Sequence, residues 1–86
     1  MYITIEHEVT NPKSFWETVE KAEMPSNIKL LQSLPDVAGK KAVCLFEADT
    51  LEEVRDLVEG AVGKFSNNTY FAVETEKAFG LPATVH

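Results

Sequence analysis

The sequence predicts one α+β domain whose elements follow in the order β-α-β-β-α-β. Three observations carry that expectation. The N-terminal residues alternate in polarity with the period of a strand, two stretches repeat apolar residues at helical spacing behind recognisable caps, and the other apolar runs are short and bounded by turn residues.

From Met1 onward, Ile3, Ile5, His7 and Val9 point one way and Tyr2, Thr4, Glu6 and Glu8 the other, the pattern of a half-buried strand. Asn11 is a good N-cap with Pro12 at the first helical position, and Phe15, Trp16, Val19 and Ala22 then make an apolar stripe. This helix is expected to run to about Met24, because the residue before Pro25 is pushed out of the helical region. Ile28 to Leu34 is a short apolar-rich segment ending at Pro35, and Asp36 to Lys40 has the composition of a turn. The partner strand of that hairpin is Lys41 to Ala48, apolar enough to be covered on both faces.

Thr50-Leu51-Glu52-Glu53 is a capping box, with the threonine accepting from the Glu53 amide and the glutamate reaching back. Leu51, Val54, Leu57, Val58, Ala61, Val62 and Phe65 follow at helical spacing. Gly60 and Gly63 weaken the last turns by roughly 1 kcal/mol each relative to alanine, so early fraying is expected. Ser66-Asn67-Asn68 reads as a break, and Thr69 to Val73 as the last strand. Residues 1–86 read as a single domain, with the tail from Ala78 to His86 an extended arm closed by Gly80 and Pro82.

Fourteen acidic residues against eight basic ones give a net charge of -6, which repels phosphate backbones and anionic lipid. Lys40-Lys41 is the only adjacent basic pair, so neither nucleic acid nor a membrane surface is an expected partner. The single cysteine, Cys44, has no partner for an internal disulfide, and MYITIEHEV lacks the basic start and apolar run of a signal peptide. A cytoplasmic protein is expected. Asn67-Asn68-Thr69 fits the N-glycosylation pattern but is read, without secretion, as a turn.

The order of elements is that of the split βαβ or ferredoxin-like arrangement, with antiparallel strands in the order 4-1-3-2 and both helices on one face. Tyr2 and Thr4, with either Val43 and Leu45 or Cys44 and Phe46, would then leave a semi-apolar sheet face in water. A domain of this size hides only about 60–65% of its unfolded surface, so a second copy on that face would help. The whole chain resembles the dimeric α+β barrel superfamily, in which two such sheets close a barrel around a central cleft; the resemblance implies a homodimer. More narrowly, CLFEADTLEEVRDLVEGAVGKFSNNTYFAVETEKAFGLP, Cys44 to Pro82, resembles a group of small bacterial proteins without assigned function, some of whose neighbours bind nickel. Similar sequences often carry histidines where this chain has Lys29 and Leu31, so a metal site of that kind would be missing here.

Five residues are candidates for binding a ligand in the cleft: Tyr2, Glu6, His7, Glu47 and Tyr70. His7 can be a ligand or a base near neutral pH, although a histidine on an apolar strand face is more often a hydrogen-bonded packing residue. Glu6 and Glu8, with Glu47 and Glu74 on the neighbouring strands, make the best acidic cluster, able to hold a hard cation or share a proton. Tyr2 and Tyr70 suit a cleft or a dimer seam. Any metal would draw on His7, Glu6 and Glu47, or on Cys44, but no C-x-x-C or H-x-x-x-H spacing supports one, and no motif indicates a cofactor. Cys44 reads as a buried structural thiol. The helix acids Glu17, Glu20, Glu52, Asp56 and Glu59 read as solvated.

The leading expectation is therefore a dimer that binds a small molecule or metal in its barrel without chemistry. The alternative is a cofactor-independent monooxygenase or isomerase, with His7, Glu6 and Tyr2 as its acid-base groups.

Overall fold

The computed structural model describes residues 1–81 as one four-stranded antiparallel sheet with two helices. The elements are β1 (Tyr2–Val9), α1 (Pro12–Lys21), β2 (Lys29–Pro35), β3 (Lys41–Glu47), α2 (Leu51–Val62) and β4 (Ser66–Ala72), and the strands lie in the order β2-β3-β1-β4. Both the order and the pairing follow the ferredoxin-like expectation. None of the described helices is long and apolar enough to cross a membrane.

The core lies between the helices and one face of the sheet. Ile3 and Ile5 from β1, Cys44 and Phe46 from β3, Phe15 from α1, and Val54, Val58 and Val62 from α2 are all buried there. Each large apolar side chain so buried contributes about 1.5–3 kcal/mol. The register puts Ile3 opposite Phe46 and Ile5 opposite Cys44, so Val43 and Leu45 are the pair on the helix-free face.

Helix α1 is capped as expected, the Asn11 side chain accepting from the Ser14 amide at 3.2 Å. It ends at Lys21 and not near Met24, because Ala22 turns extended with its amide bonded to the Val19 carbonyl. Its last predicted turn has no apolar anchor, since residues 21–24 are all exposed. Trp16 ties the helix to the β2–β3 hairpin by donating its indole N–H to the Gly39 carbonyl at 2.9 Å. Gly39 holds φ at 72°, and the Asp36 carboxylate closes the turn by accepting the amides of Lys40 and Lys41 at 2.8 and 3.1 Å. Those bonds hold the Asp36 carboxyl below its usual range.

Half of the capping box forms at α2. Thr50 Oγ1 accepts from the Glu53 amide at 3.2 Å, while Glu53 Oε2 is buried with no partner among the described residues. The helix continues through Gly60, held by the buried Val58 and Val62, and ends at Val62 with Gly63 as its C-cap, so the early end falls at Gly63 and leaves Phe65 outside the helix. Strand β4 begins at Ser66, so Ser66, Asn67 and Asn68 are strand residues opposite Val9, Glu8 and His7, and the turn contracts to residues 63–65.

Candidate functional site

The pleat of β1 sorts the candidate residues onto two faces. Tyr2, Glu6 and Glu47 lie on the helix-free face, Tyr2 directly opposite Glu47 and Glu6 opposite Val43. His7 and Tyr70 lie on the helix-covered face, His7 opposite Asn68 and Tyr70 opposite Ile5. Sequence alternation had already separated His7 from Glu6; the register adds that Tyr70 keeps company with His7.

Glu6 and Glu47 are four residues apart along the sheet, about 14 Å at strand rise, and His7 is on the far side of it. One ion cannot reach all three within a chain. Among the described residues no three His, Cys, Asp or Glu side chains converge as a metal site would require. Glu74 falls beyond the end of β4, on an exposed turn, and His86 lies outside the described residues. Lys29 stands opposite Glu47, and Leu31 sits at an irregularity in the β2 register.

On the helix-covered face the side chains form a connected polar chain. Tyr70 donates its hydroxyl to Glu59 Oε2, which also accepts from Asn68 Nδ2 at 2.7 Å. Asn68 therefore turns Oδ1 toward His7 Nδ1, 2.6 Å away, and toward the Ser66 hydroxyl, 2.7 Å away. An amide oxygen only accepts, so His7 carries its proton on Nδ1 and leaves Nε2 with a free lone pair. The imidazole is 5% exposed and packs edge-on against Phe15 at 5.2 Å.

Burial lowers the His7 pKa, with the Asn68 bond and the Glu59 charge acting against it, so the ring stays neutral near pH 7. The bonds from Tyr70 and Asn68 hold the Glu59 carboxyl below its usual range. Burial, and then the bond to Glu59, push the Tyr70 hydroxyl well above its own. Glu59 is thus a hydrogen-bond hub rather than a merely solvated acid. Asn68, Glu59 and Ser66 were not identifiable as a group from sequence, although Ser66, Asn68 and Tyr70 share one strand parity, a signal visible once β4 starts at Ser66. Cys44, on the same face, is buried; burial raises its thiol, whose only hydrogen bond among the described residues is a long one to Ser33 at 3.7 Å. That is a resting thiol, not an activated one.

The helix-free face is organised differently. A concavity of about 540 Å³ at the Glu8–Lys41 end of the sheet is lined by Glu6, Glu8, Lys41 and Val43 and reaches His7 and Asn68 as well. Leu34 and Val43 on its wall are exposed, as is Phe71 elsewhere on the helix-free face. Opposite charges face each other at both ends of the sheet, Glu8 with Lys41 and Lys29 with Glu47.

No family model, curated protein or solved structure matches this chain. What the two faces can do therefore rests on their own side chains. The covered face offers one neutral imidazole of fixed tautomer in an apolar setting, and the open face offers exposed apolar side chains on three strands with charges of both signs at its ends.

Proposed function

We propose that this chain works in the cytoplasm as a homodimer, two sheets stacking by their helix-free faces into a dimeric α+β barrel whose cleft binds a small molecule or a metal ion. The observation that carries the reading is the make-up of that face. Leu34, Val43 and Phe71 expose apolar surface on β2, β3 and β4, with Glu6 exposed between them on β1, while each end holds charges of both signs. Exposed apolar side chains bordered by charge mark interfaces, and a rim carrying both signs at both ends can complement a rotated copy of itself. Tyr2, Glu6 and Glu47 would then line the cleft. The resemblance of Cys44 to Pro82 to small proteins with nickel-binding neighbours points to a metal as the second kind of occupant, which this chain would need carboxylates from both copies to hold.

Native mass spectrometry at low micromolar concentration tests the assembly. A dimer is expected, and Val43→Glu with Phe71→Glu should convert it to a monomer of unchanged helix content. A wild-type monomer would overturn the reading.

One observation favours a second reading, an enzyme of the cofactor-independent monooxygenase or isomerase kind. Asn68 and Glu59 fix His7 in the tautomer that leaves Nε2 free, the arrangement a general base needs. Glu6 and Tyr2 lie on the other face, so His7 would act without them. Turnover of a substrate that survived His7→Gln would rule that role out.

A further inference from the structure

Leu45 sits on the face that no helix covers, yet it is only 7% exposed, while Val43, two residues away on the same face, is 40% exposed. The cover comes from the segment after β4. The Val73 amide bonds to the Tyr2 carbonyl at 2.9 Å, and a turn closed by the Lys77 amide on the Glu74 carbonyl at 3.2 Å sends the chain back over the sheet. Between this arm and the sheet lies a groove of about 190 Å³, walled by Thr4, Gln32, Val43 and Leu45 below and by Val73 and Phe79 from the arm.

Two features of the groove define what would fit it. No charged side chain lines it among the described residues, although 26% of the sequence is charged; its polar side chains are the Thr4 hydroxyl and the Gln32 amide, both neutral and able to donate or accept. A charged ligand would lose its hydration there without a counter-charge. Phe79, at the groove's mouth, is 100% exposed, with Gly80 beside it in the left-handed region at φ 82°. A fully solvated phenyl ring next to an apolar groove has an unused face to lay over a flat guest. For scale, an apolar cavity of about 150 Å³ accommodates benzene.

We propose that the groove beneath the C-terminal arm binds an uncharged molecule of about one aromatic ring bearing a hydroxyl or N–H group, which hydrogen-bonds to Thr4 or Gln32 and is covered by Phe79. This goes beyond the proposed function, whose cleft is lined by Tyr2, Glu6 and Glu47, because the groove is a separate site complete within one chain.

The test is a heteronuclear NMR titration of the full chain with phenol and indole as neutral probes and benzoate and benzylamine as charged ones, with light scattering of the same samples for subunit count. Saturable shifts at Thr4, Gln32, Leu45 and Phe79 are expected with phenol or indole, at an affinity at least tenfold above that of the charged probes. Val43→Trp should fill the groove and weaken binding at least tenfold; Leu34→Trp, at a still more exposed site on the groove wall, serves the same purpose if the first variant does not fold. Absence of saturable shifts, equal affinity for benzoate, or binding unaffected by the filling variant would each overturn the proposal. A dimer that binds no neutral ring would refute the ligand assignment and leave the assembly standing, whereas a monomer that binds one would do the reverse.

Discussion

Replacing Asn68 with alanine removes one side chain on which three others depend, and the three losses differ in size. His7 Nδ1–H is buried and loses its acceptor at 2.6 Å, which costs about 1–3 kcal/mol for a donor left unsatisfied. Ser66 loses little, because its hydroxyl already lies 3.2 Å from the Val62 carbonyl and can turn to it. Glu59 also loses little, since it is exposed and water replaces the Asn68 amide. The expected destabilisation is therefore about 2 kcal/mol, nearly all of it from His7, or a fall in Tm of about 8–16 °C for a domain this small. Urea unfolding followed by Trp16 fluorescence at a fixed protein concentration measures it, with the exposed neighbour Thr69→Ala as control at about 0.5 kcal/mol or less. A loss in Asn68→Ala no greater than in Thr69→Ala would refute the claim that Asn68 satisfies a buried imidazole. Nitrogen chemical shifts of His7 give a second readout, because the wild type should show the Nδ1–H tautomer and the variant should lose that preference.

Two more outcomes follow from the same structure. Burial holds the folded-state pKa of His7 below 6.5, so its stabilising effect is complete above pH 6.5 and is lost as pH falls, the unfolded chain taking up the proton first. Unfolding free energy should drop by up to about 1.4 kcal/mol per pH unit below 6.5, and His7→Gln should flatten that slope; an identical slope in the variant would show that His7 is not held neutral. Gly39→Ala forces a side chain into φ 72° and sets its Cβ 3.2 Å from the Trp16 indole nitrogen, so a loss of about 1–2 kcal/mol is expected, with a red-shifted tryptophan emission as the hairpin pulls away; unchanged stability would mean the turn relaxes without strain.

The alternation in β1 made its two faces legible from sequence, because polar and apolar residues take turns from Tyr2 to Val9. Strand β3 was not legible in the same way. Ala42 to Phe46 is apolar at every position, so only pairing with β1 decides that Val43 and Leu45 face outward. The start of β4 was misread because serine and asparagine favour turns when their side chains are free to bond the local backbone. Asn68 is not free: it is committed to His7 on β1 and Glu59 on α2, and its side-chain oxygen also accepts from Ser66, whose hydroxyl lies near the Val62 carbonyl as well. Glu59 was legible only as one of several helix acids for the same reason. What singles it out is the position of Tyr70 and Asn68 two strand residues apart, both reaching the same carboxylate oxygen.

The separation of the two faces decides how experiments on this chain can be interpreted. His7, Asn68, Glu59 and Tyr70 join β1, β4 and α2 through hydrogen bonds on the covered side, and substitutions there act first on stability. Leu34, Val43, Phe71 and Phe79 are exposed, make no such commitments and lie outside the buried core cluster, so substitutions there report first on association and ligand binding. The two sets share no side-chain hydrogen-bond partners among the described residues, and pairwise combinations across the sheet should add within about 0.3–0.5 kcal/mol in the unfolding free energy of the monomer. A larger coupling between Asn68→Ala and Val43→Glu would mean that the polar chain sets the shape of the helix-free face through the backbone of β1, and the covered side would then belong to the binding site after all.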